Sequence, residues 1–126
     1  MGLSSYKVSA QIAVSDMGRA SEFYEGKLGL SQTGEEYDGS RVYACGDGTA
    51  LHVYASPANA GKATATLARW DVDDIERVVG ELTAAGVGFE QYDQPETDAR
   101  GIHDSGYGKV AWFKDPDGNT FALEQV

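Results

Sequence analysis

The sequence contains a single cysteine, Cys45, which excludes an internal disulfide. It also lacks an apolar run of the roughly 20 residues that a membrane-spanning helix needs. Residues 1–7 lack the apolar stretch of a secretory signal. Since disulfides and signal sequences are typical of exported proteins, these absences predict a cytoplasmic protein that has no membrane partner.

Basic residues are also scarce, because 10 lysines and arginines stand against 20 acidic residues and give a formal net charge of −10. A surface of this sign repels phosphate backbones, so nucleic acid is not expected as a partner. It attracts cationic small molecules. The same charge also serves solubility, so by itself it does not identify a ligand.

The common catalytic motifs are missing as well. The sequence has no G-x-S-x-G elbow, no P-loop and no dinucleotide fingerprint. Cys45 has no base beside it in the sequence, which indicates an unreactive thiol. An acid–base pair of His52 with Glu124 or Asp104 remains open, because the sequence does not show which of them lie within hydrogen-bond reach.

The hydropathy pattern predicts a single domain of strands and two helices, since 126 residues can bury one sizeable core. Helices are expected after the capping pairs Ser15-Asp16 and Asp73-Asp74, and they are expected to stop at Gly29 and Gly86. Alternating apolar residues predict the strands, which are 6–14, 41–45, 49–55, 64–72, 108–114 and 119–125. Residues 87–91 are expected to start another extended segment.

The pattern repeats within the chain. Residues 14–16, Val-Ser-Asp, precede the first helix as residues 72–74, Val-Asp-Asp, precede the second. The Asp47-Gly48 turn corresponds to Asp117-Gly118. We therefore predict one repeat over about 5–56, a linker over 57–63 and a second repeat over about 64–126.

The longest irregular stretch is 92–108, and a loop of this length in a compact domain is commonly functional. His103 and Tyr107 lie in it and are candidates for a lid over a binding site. The alternative is that both side chains are simply exposed to solvent.

Two passages resemble the vicinal oxygen chelate superfamily, the glyoxalase, bleomycin-resistance and extradiol dioxygenase group. Residues 14–30 are similar to its "V-x-D, A-x-x-F-Y, L-G-L" start, and residues 112–121 are similar to its "F-x-D-P-D-G-N" turn. The resemblance implies an α+β fold of two βαβββ repeats, which form a cupped mixed sheet with helices on the convex face. It also implies a homodimer.

Metal-dependent members of that group carry four ligands, one on the first and one on the last strand of each repeat. The resemblance places these positions at Ser9, His52, Leu67 and Ala122. Only His52 among them is a good ligand, because leucine and alanine cannot ligate a metal. We therefore expect no metal cofactor. A shift by two residues leaves an alternative set of Gln11, His52 and Glu124, with Arg69 opposing a cation and pairing with Glu124.

The concave face instead carries aromatic walls and a few polar groups, which is typical of sites for organic molecules. Trp112 and Tyr54 are candidates for stacking on a flat ligand. Trp112 is also a candidate for an interface between two copies of the chain. The predicted ligand-binding residues are Gln11, His52, Tyr54, Leu67, Arg69, Trp112 and Glu124.

Two functions follow from this pattern. The first is a metal-free protein that sequesters an aromatic or cationic compound, as the antibiotic-resistance members of the superfamily do. The second is an enzyme of the same superfamily, a lyase, isomerase or dioxygenase, that uses the displaced metal set or metal-free acid–base chemistry. The expected partners are a small organic molecule and a second copy of the chain.

Overall fold

The computed structural model describes residues 2–35 and 38–126, with the side chain of Glu35 left out. The chain divides into two compact units, of which the first ends at Ala60 and the second spans Gly61–Val126. Each unit has the order strand, helix and three further strands, so the predicted α+β fold of two βαβββ repeats is confirmed.

The first unit forms one four-stranded sheet. Its order is β1-β4-β3-β2, in which β1 and β4 run parallel and the other neighbours run antiparallel. A 3-10 turn at Gly2–Ser5 precedes the sheet. The elements are β1 (Ala10–Val14), α1 (Met17–Ser21), β2 (Ser31–Glu35), β3 (Arg41–Ala44) and β4 (Ala50–Ala55).

The second unit repeats this topology. Its sheet has the order β5-β8-β7-β6, again with a parallel first pair and antiparallel neighbours after it. The elements are β5 (Thr66–Asp71), α2 (Ile75–Ala84), β6 (Ile102–Asp104), β7 (Lys109–Lys114) and β8 (Thr120–Gln125).

The two helices begin with the same cap. The Asp16 carboxylate accepts a hydrogen bond from the Arg19 backbone N–H at 3.2 Å, and Asp74 accepts one from the Arg77 N–H at the same distance. Each bond satisfies a helix N–H that has no partner within the helix. The capping predicted from the repeated aspartates is therefore confirmed in both units.

The first helix is less regular than predicted. A π-helical segment at Glu22–Lys27 follows α1, and Phe23 and Tyr24 in it are buried. The ring of Tyr24 stacks on that of Tyr43 from β3, with the ring centres 6.0 Å apart. The wider turn is a departure from the expected α-helix.

An aromatic core supports the sheet of the second unit. Phe113 is fully buried, and its ring centre lies 5.6 Å from that of Phe121 and 6.1 Å from that of Trp70. Ile75 and Val79 of α2 are buried as well. Strand alternation leaves the opposite face of this sheet free of these core residues.

Several predicted boundaries were wrong. Strand β1 begins at Ala10 rather than at residue 6. In the extended segment expected at 87–91, Phe89 forms an isolated antiparallel bridge to Phe113. Strands β2 and β6 were not predicted. Both lie at sheet edges, where only one neighbour is needed and an alternating apolar pattern is not required.

The turn at Asp115–Asn119 joins β7 to β8 and also contacts Gly61, which lies in the segment that leads to β5. Asp115 is buried and accepts hydrogen bonds from the backbone N–H groups of Asp117 and Asn119. The side-chain oxygen of Asn119 accepts the Gly61 N–H at 3.2 Å. Gly61 has φ +67°, and a Cβ atom there would lie 2.0 Å from the Asp117 carbonyl oxygen, so only glycine fits.

Candidate functional site

In the first unit, the sheet separates a polar face from a buried face. Gln11 lies beside His52 in the parallel register of β1 and β4, and Tyr54 follows on the same side. Ile12, Leu51 and Val53 point the other way and are buried. This alternation was predicted and is confirmed. The residue beside His52 is Gln11 rather than Ser9, which lies ahead of the strand.

His52 is oriented by its neighbour on β1. Its Nδ1–H donates a hydrogen bond to the side-chain oxygen of Gln11. In the neutral ring the lone pair is therefore on Nε2, which is buried without a hydrogen-bond partner among the described residues. The ring centre of Tyr54 lies 6.3 Å from that of His52. Gln11 and His52 thus form a linked pair on this face.

The opposite side of the same sheet carries a polar network. The Tyr43 hydroxyl and an Arg41 guanidinium N–H both donate to one oxygen of Glu25, at 2.8 and 2.7 Å. The hydrogen bond from Tyr43, and then that from Arg41, lowers the pKa of Glu25. Burial raises the pKa of the Tyr43 hydroxyl. This network ties the π-helical segment to β3 and has no role in the candidate site.

In the second unit, four of the predicted ligand-binding residues come together. Leu67, Arg69, Trp112 and Glu124 all line one cleft of about 510 Å³, which we call the arginine cleft. Its remaining walls are formed by Thr66, Ala68, Val110 and Ala122. Arg69 and Trp112 both pair with Ala122 on β8. The side chains of these three residues therefore lie on one face of the sheet.

Arg69 is the electrostatic centre of that cleft. Its Nε lies 3.0 Å from a carboxylate oxygen of Asp71, and its Nη1 lies 3.1 Å from one of Glu124. The ion pair with Glu124 was predicted, whereas that with Asp71 was not. One guanidinium between two carboxylates leaves this group with one surplus negative charge.

A second cleft of about 550 Å³ shares Thr66 and Trp112 with the first, and we call it the threonine cleft. Its only charged lining residue is Lys114, whose ammonium lies 3.3 Å from Glu90 and is therefore neutralised. Its other walls are neutral and consist of Gly61, Ala63, Thr64, Ala65, Tyr92, Gln94, Pro95, Gly118 and Thr120.

Trp112, the wall shared by the two clefts, is held between two other rings. Tyr92 meets it edge-on, with ring centres 5.4 Å apart, and His103 lies 6.5 Å away at an interplanar angle of 31°. Tyr92 belongs to a turn in which its backbone N–H donates to the Thr97 hydroxyl at 2.8 Å. Trp112 thus has an aromatic ring and an imidazole as neighbours on this face.

The stretch 92–108 is more ordered than the sequence predicted. His103 lies in β6, paired with Val110, and its Nδ1–H donates to the Glu96 carbonyl oxygen at 2.7 Å. Tyr107 lies in the turn between β6 and β7 and is 93% exposed. His103 is therefore a sheet residue beside Trp112 rather than a loop residue, and a lid role for Tyr107 stays a prediction.

The residues do not fit a four-ligand metal centre. In the first unit Gln11 and His52 are matched across the parallel strands, whereas the matched pair in the second unit is Arg69 and Ala122. A guanidinium and a methyl group do not ligate a divalent ion. Glu124, the third member of the displaced set, is engaged by Arg69.

Across residues 2–35 and 38–126, no three side chains of histidine, cysteine, aspartate or glutamate are grouped so that they could hold a metal ion. The displaced set of Gln11, His52 and Glu124 is not a group of this kind, because glutamine is its third member.

Two residues of this face were missed by sequence reasoning. Asp71 could have been found, because strand alternation places 67, 69 and 71 on one side of β5. Tyr92 gave only a weak signal as an aromatic residue at the start of a long irregular stretch. Its contact with Trp112 depends on the turn that Thr97 closes, and no local pattern shows that turn.

The comparison with protein families identifies the class. The model of the Glyoxalase/Bleomycin resistance protein/Dioxygenase superfamily matches residues 8–123. The chain belongs to this superfamily, and the resemblance found in the sequence is confirmed. No curated protein matches the chain.

Solved structures share the fold along the whole chain. An antibiotic-binding protein from Streptomyces sp. CB03234, TnmS3, is 24% identical, with 99% of this chain and 98% of that one covered and a TM-score of 0.77. A glyoxalase/bleomycin resistance protein from Catenulispora acidiphila DSM 44928 is 26% identical, with 95% and 97% covered and a TM-score of 0.69.

A third structure extends this range of sources. A member of the superfamily from Sphaerobacter thermophilus DSM 20745 is 24% identical, with 96% of this chain and 97% of that one covered and a TM-score of 0.74. Separately, none of the helices that the structure describes is long and apolar enough to cross a membrane.

Proposed function

We propose that the protein binds a small planar aromatic or cationic molecule without a metal ion and sequesters it. The observation that carries this proposal is the arginine cleft, in which Leu67, Arg69, Trp112 and Glu124 lie together. Clefts with apolar and aromatic walls and a few placed charges are the usual form of sites for organic ligands. Trp112 is the anchoring ring.

The chemistry of the second unit supports binding over catalysis. Arg69 and Glu124 neutralise each other in an ion pair, so neither is set up to transfer a proton. The net charge of −10 favours cationic over anionic ligands. The similarity to an antibiotic-binding protein in fold is consistent with sequestration of a toxic compound.

A ligand screen tests this proposal directly. The protein is first treated with chelator to remove any metal ion. Its melting temperature is then measured with and without flat aromatic and cationic compounds. A ligand at 100 times its Kd stabilises the folded state by about 2.7 kcal/mol. Trp112→Ala should abolish the shift, whereas Glu81→Gln, at an exposed side chain of α2 outside both clefts, should retain it. A panel without any shift would contradict the proposal.

The second candidate is an enzyme of the same superfamily, and the observation that favours it is the Gln11–His52 hydrogen bond. Such a pair could serve a lyase, isomerase or dioxygenase either by acid–base chemistry or by ligating a displaced metal. Metal analysis of protein purified without chelator tests the version with a displaced metal. A stoichiometric ion that is lost on His52→Ala would favour the enzyme and would overturn metal-free binding.

The assembly and location are part of the same proposal. We propose a homodimer in the cytoplasm, since Leu3, Tyr6 and Val8 are highly exposed apolar side chains ahead of β1, which is an edge strand of its sheet. Analytical ultracentrifugation at micromolar concentration should give twice the 13.4 kDa mass of the chain. A monomer mass would contradict it.

A further inference from the structure

We infer that the preferred ligand has two parts, a neutral planar aromatic group and a primary or secondary amine on an arm, and that Glu124 selects the amine. This inference rests on the proposed binding function. It goes further by assigning one part of the ligand to each of the two clefts.

The first step is the difference in charge between the clefts. The only charged lining residue of the threonine cleft, Lys114, is paired with Glu90. The arginine cleft contains Arg69 and Glu124, and Asp71 also pairs with Arg69 at its margin. A neutral group therefore suits the first cleft, and a single positive charge suits the second.

The second step is that the clefts adjoin each other at shared walls. Thr66 and Trp112 line both, so a molecule that stacks on Trp112 has access to either side. Trp112 is held by Tyr92, which lines the threonine cleft only. The aromatic part of the ligand is thus assigned to the side of Trp112 where a second ring already stands.

The third step is the distance between the two parts. Thr120 lines the threonine cleft and Glu124 the arginine cleft, and they are four residues apart on β8. At about 3.3 Å per residue this is about 13 Å. Ala122, which pairs with Trp112, is two residues from Glu124, or about 7 Å. The amine should therefore stand roughly 7–13 Å from the ring.

The fourth step is the role of Glu124 rather than of Asp71. The Glu124 side chain is 31% exposed, whereas that of Asp71 is 75% exposed and is not part of the cleft lining. A charge pair gains more where water is partly excluded. Glu124→Gln leaves Arg69 paired with Asp71, so the group of three becomes neutral and its preference for a cation disappears.

The test compares two fluorescent probes by polarisation in chelator-treated protein. Dansylcadaverine carries a naphthalene ring and a flexible amine arm, and dansyl pentylamide is the same molecule with a hydrogen atom in place of the terminal ammonium group. Dansylcadaverine should bind about five- to ten-fold more tightly. Glu124→Gln should lower the affinity for dansylcadaverine to that for dansyl pentylamide, which removes this preference. Dansyl ethylenediamine, with a shorter arm, should show a smaller preference.

Two further variants separate the effect of the Glu124 charge from that of the overall charge and from that of the Trp112 ring. Glu81→Gln makes the same change of charge on α2, where Glu81 pairs with Arg77, and should keep the full preference. Trp112→Ala should abolish the binding of both probes. Equal binding of both probes to the unaltered protein, or a preference that survives Glu124→Gln, would overturn the inference and leave the proposed function standing. No binding of either probe would count against both.

Discussion

The two units of this protein share a topology and differ in chemistry. Each has a parallel pair of first and last strands, a helix capped by an aspartate and two further strands. At the matched central positions the first unit has Gln11 and His52, and the second has Arg69 and Ala122. A shared backbone plan therefore does not preserve a shared site, because function depends on which side chains occupy the open face.

The units also differ in what lies on the other side of each sheet. The first unit holds its π-helical segment by hydrogen bonds from Tyr43 and Arg41 to Glu25. The second packs Phe113 against Phe121. The stabilisation from a polar network depends on pH, whereas that from a ring cluster does not. The two units should therefore respond differently to mutation and to acid.

The largest effect is expected in the ring cluster. Phe113→Ala removes a fully buried ring that contacts Trp70, Phe89 and Phe121, and it should lower the free energy of unfolding by about 3–5 kcal/mol. Urea denaturation measures this. Tyr107→Ala, at a ring that is 93% exposed, should change it by less than about 0.5 kcal/mol. A loss under about 1 kcal/mol for Phe113→Ala would show that the cluster is not the core of the unit.

The next effect concerns the turn that precedes β5. Gly61→Ala adds a Cβ against the Asp117 carbonyl at a positive φ, and it should cost about 2–4 kcal/mol. Gly80→Ala is the matched control, since Gly80 lies in α2 with nothing within 4 Å of the added atom. That control should stabilise the protein by about 0.5–1 kcal/mol. If Gly61→Ala and Gly80→Ala changed the melting temperature equally, the close approach of Gly61 to the Asp117 carbonyl oxygen would be refuted.

The polar network of the first unit should make the free energy of unfolding depend on pH. The pKa of Glu25 is lowered from its ordinary value of 4.5, so its stabilising effect is complete above that value and disappears as the pH falls through the lower folded-state pKa. The difference in unfolding free energy between the unaltered protein and Glu25→Gln should therefore be constant near neutral pH. It should decrease towards zero in acid. Glu22→Gln, on the same segment, is the control. A difference that stays constant down to acid pH would contradict this account.

The smallest effect tests what the two units share. Asp16→Ala and Asp74→Ala each remove a helix cap, and each should cost about 1 kcal/mol by urea denaturation. Because the two hydrogen bonds have the same length and place in the repeat, the costs should agree within a few tenths of a kcal/mol. Costs that differ two-fold or more would mean that one cap has a further role.

The fold could be predicted because its signals are local and repeated. The capping aspartates, the turn at Asp115–Asn119 and the alternation around His52 and Trp112 all act within a few residues. Strands β2 and β6 could not be predicted, since they are short edge strands that are held by backbone hydrogen bonds to one neighbour. Polar residues such as those of Ser31–Glu35 serve there as well as apolar ones.

The site could be predicted only in part, for a similar reason. Alternation identified the face that carries Arg69, Trp112 and Glu124, and charge identified the ion pair. It did not identify Tyr92, whose position depends on a turn closed by Thr97. It also could not show that His103 lies beside Trp112, because that contact depends on strand β6.

The most direct test of the central claim is the binding of dansyl pentylamide to protein stripped of metal by chelation, measured by polarisation. We expect the probe to bind, Trp112→Ala to abolish binding, and added Zn²⁺, Mg²⁺ or Mn²⁺ to change the affinity by less than two-fold. Binding that requires a divalent ion and is lost on His52→Ala while surviving Trp112→Ala would contradict it, since the site would then be a metal centre in the first unit.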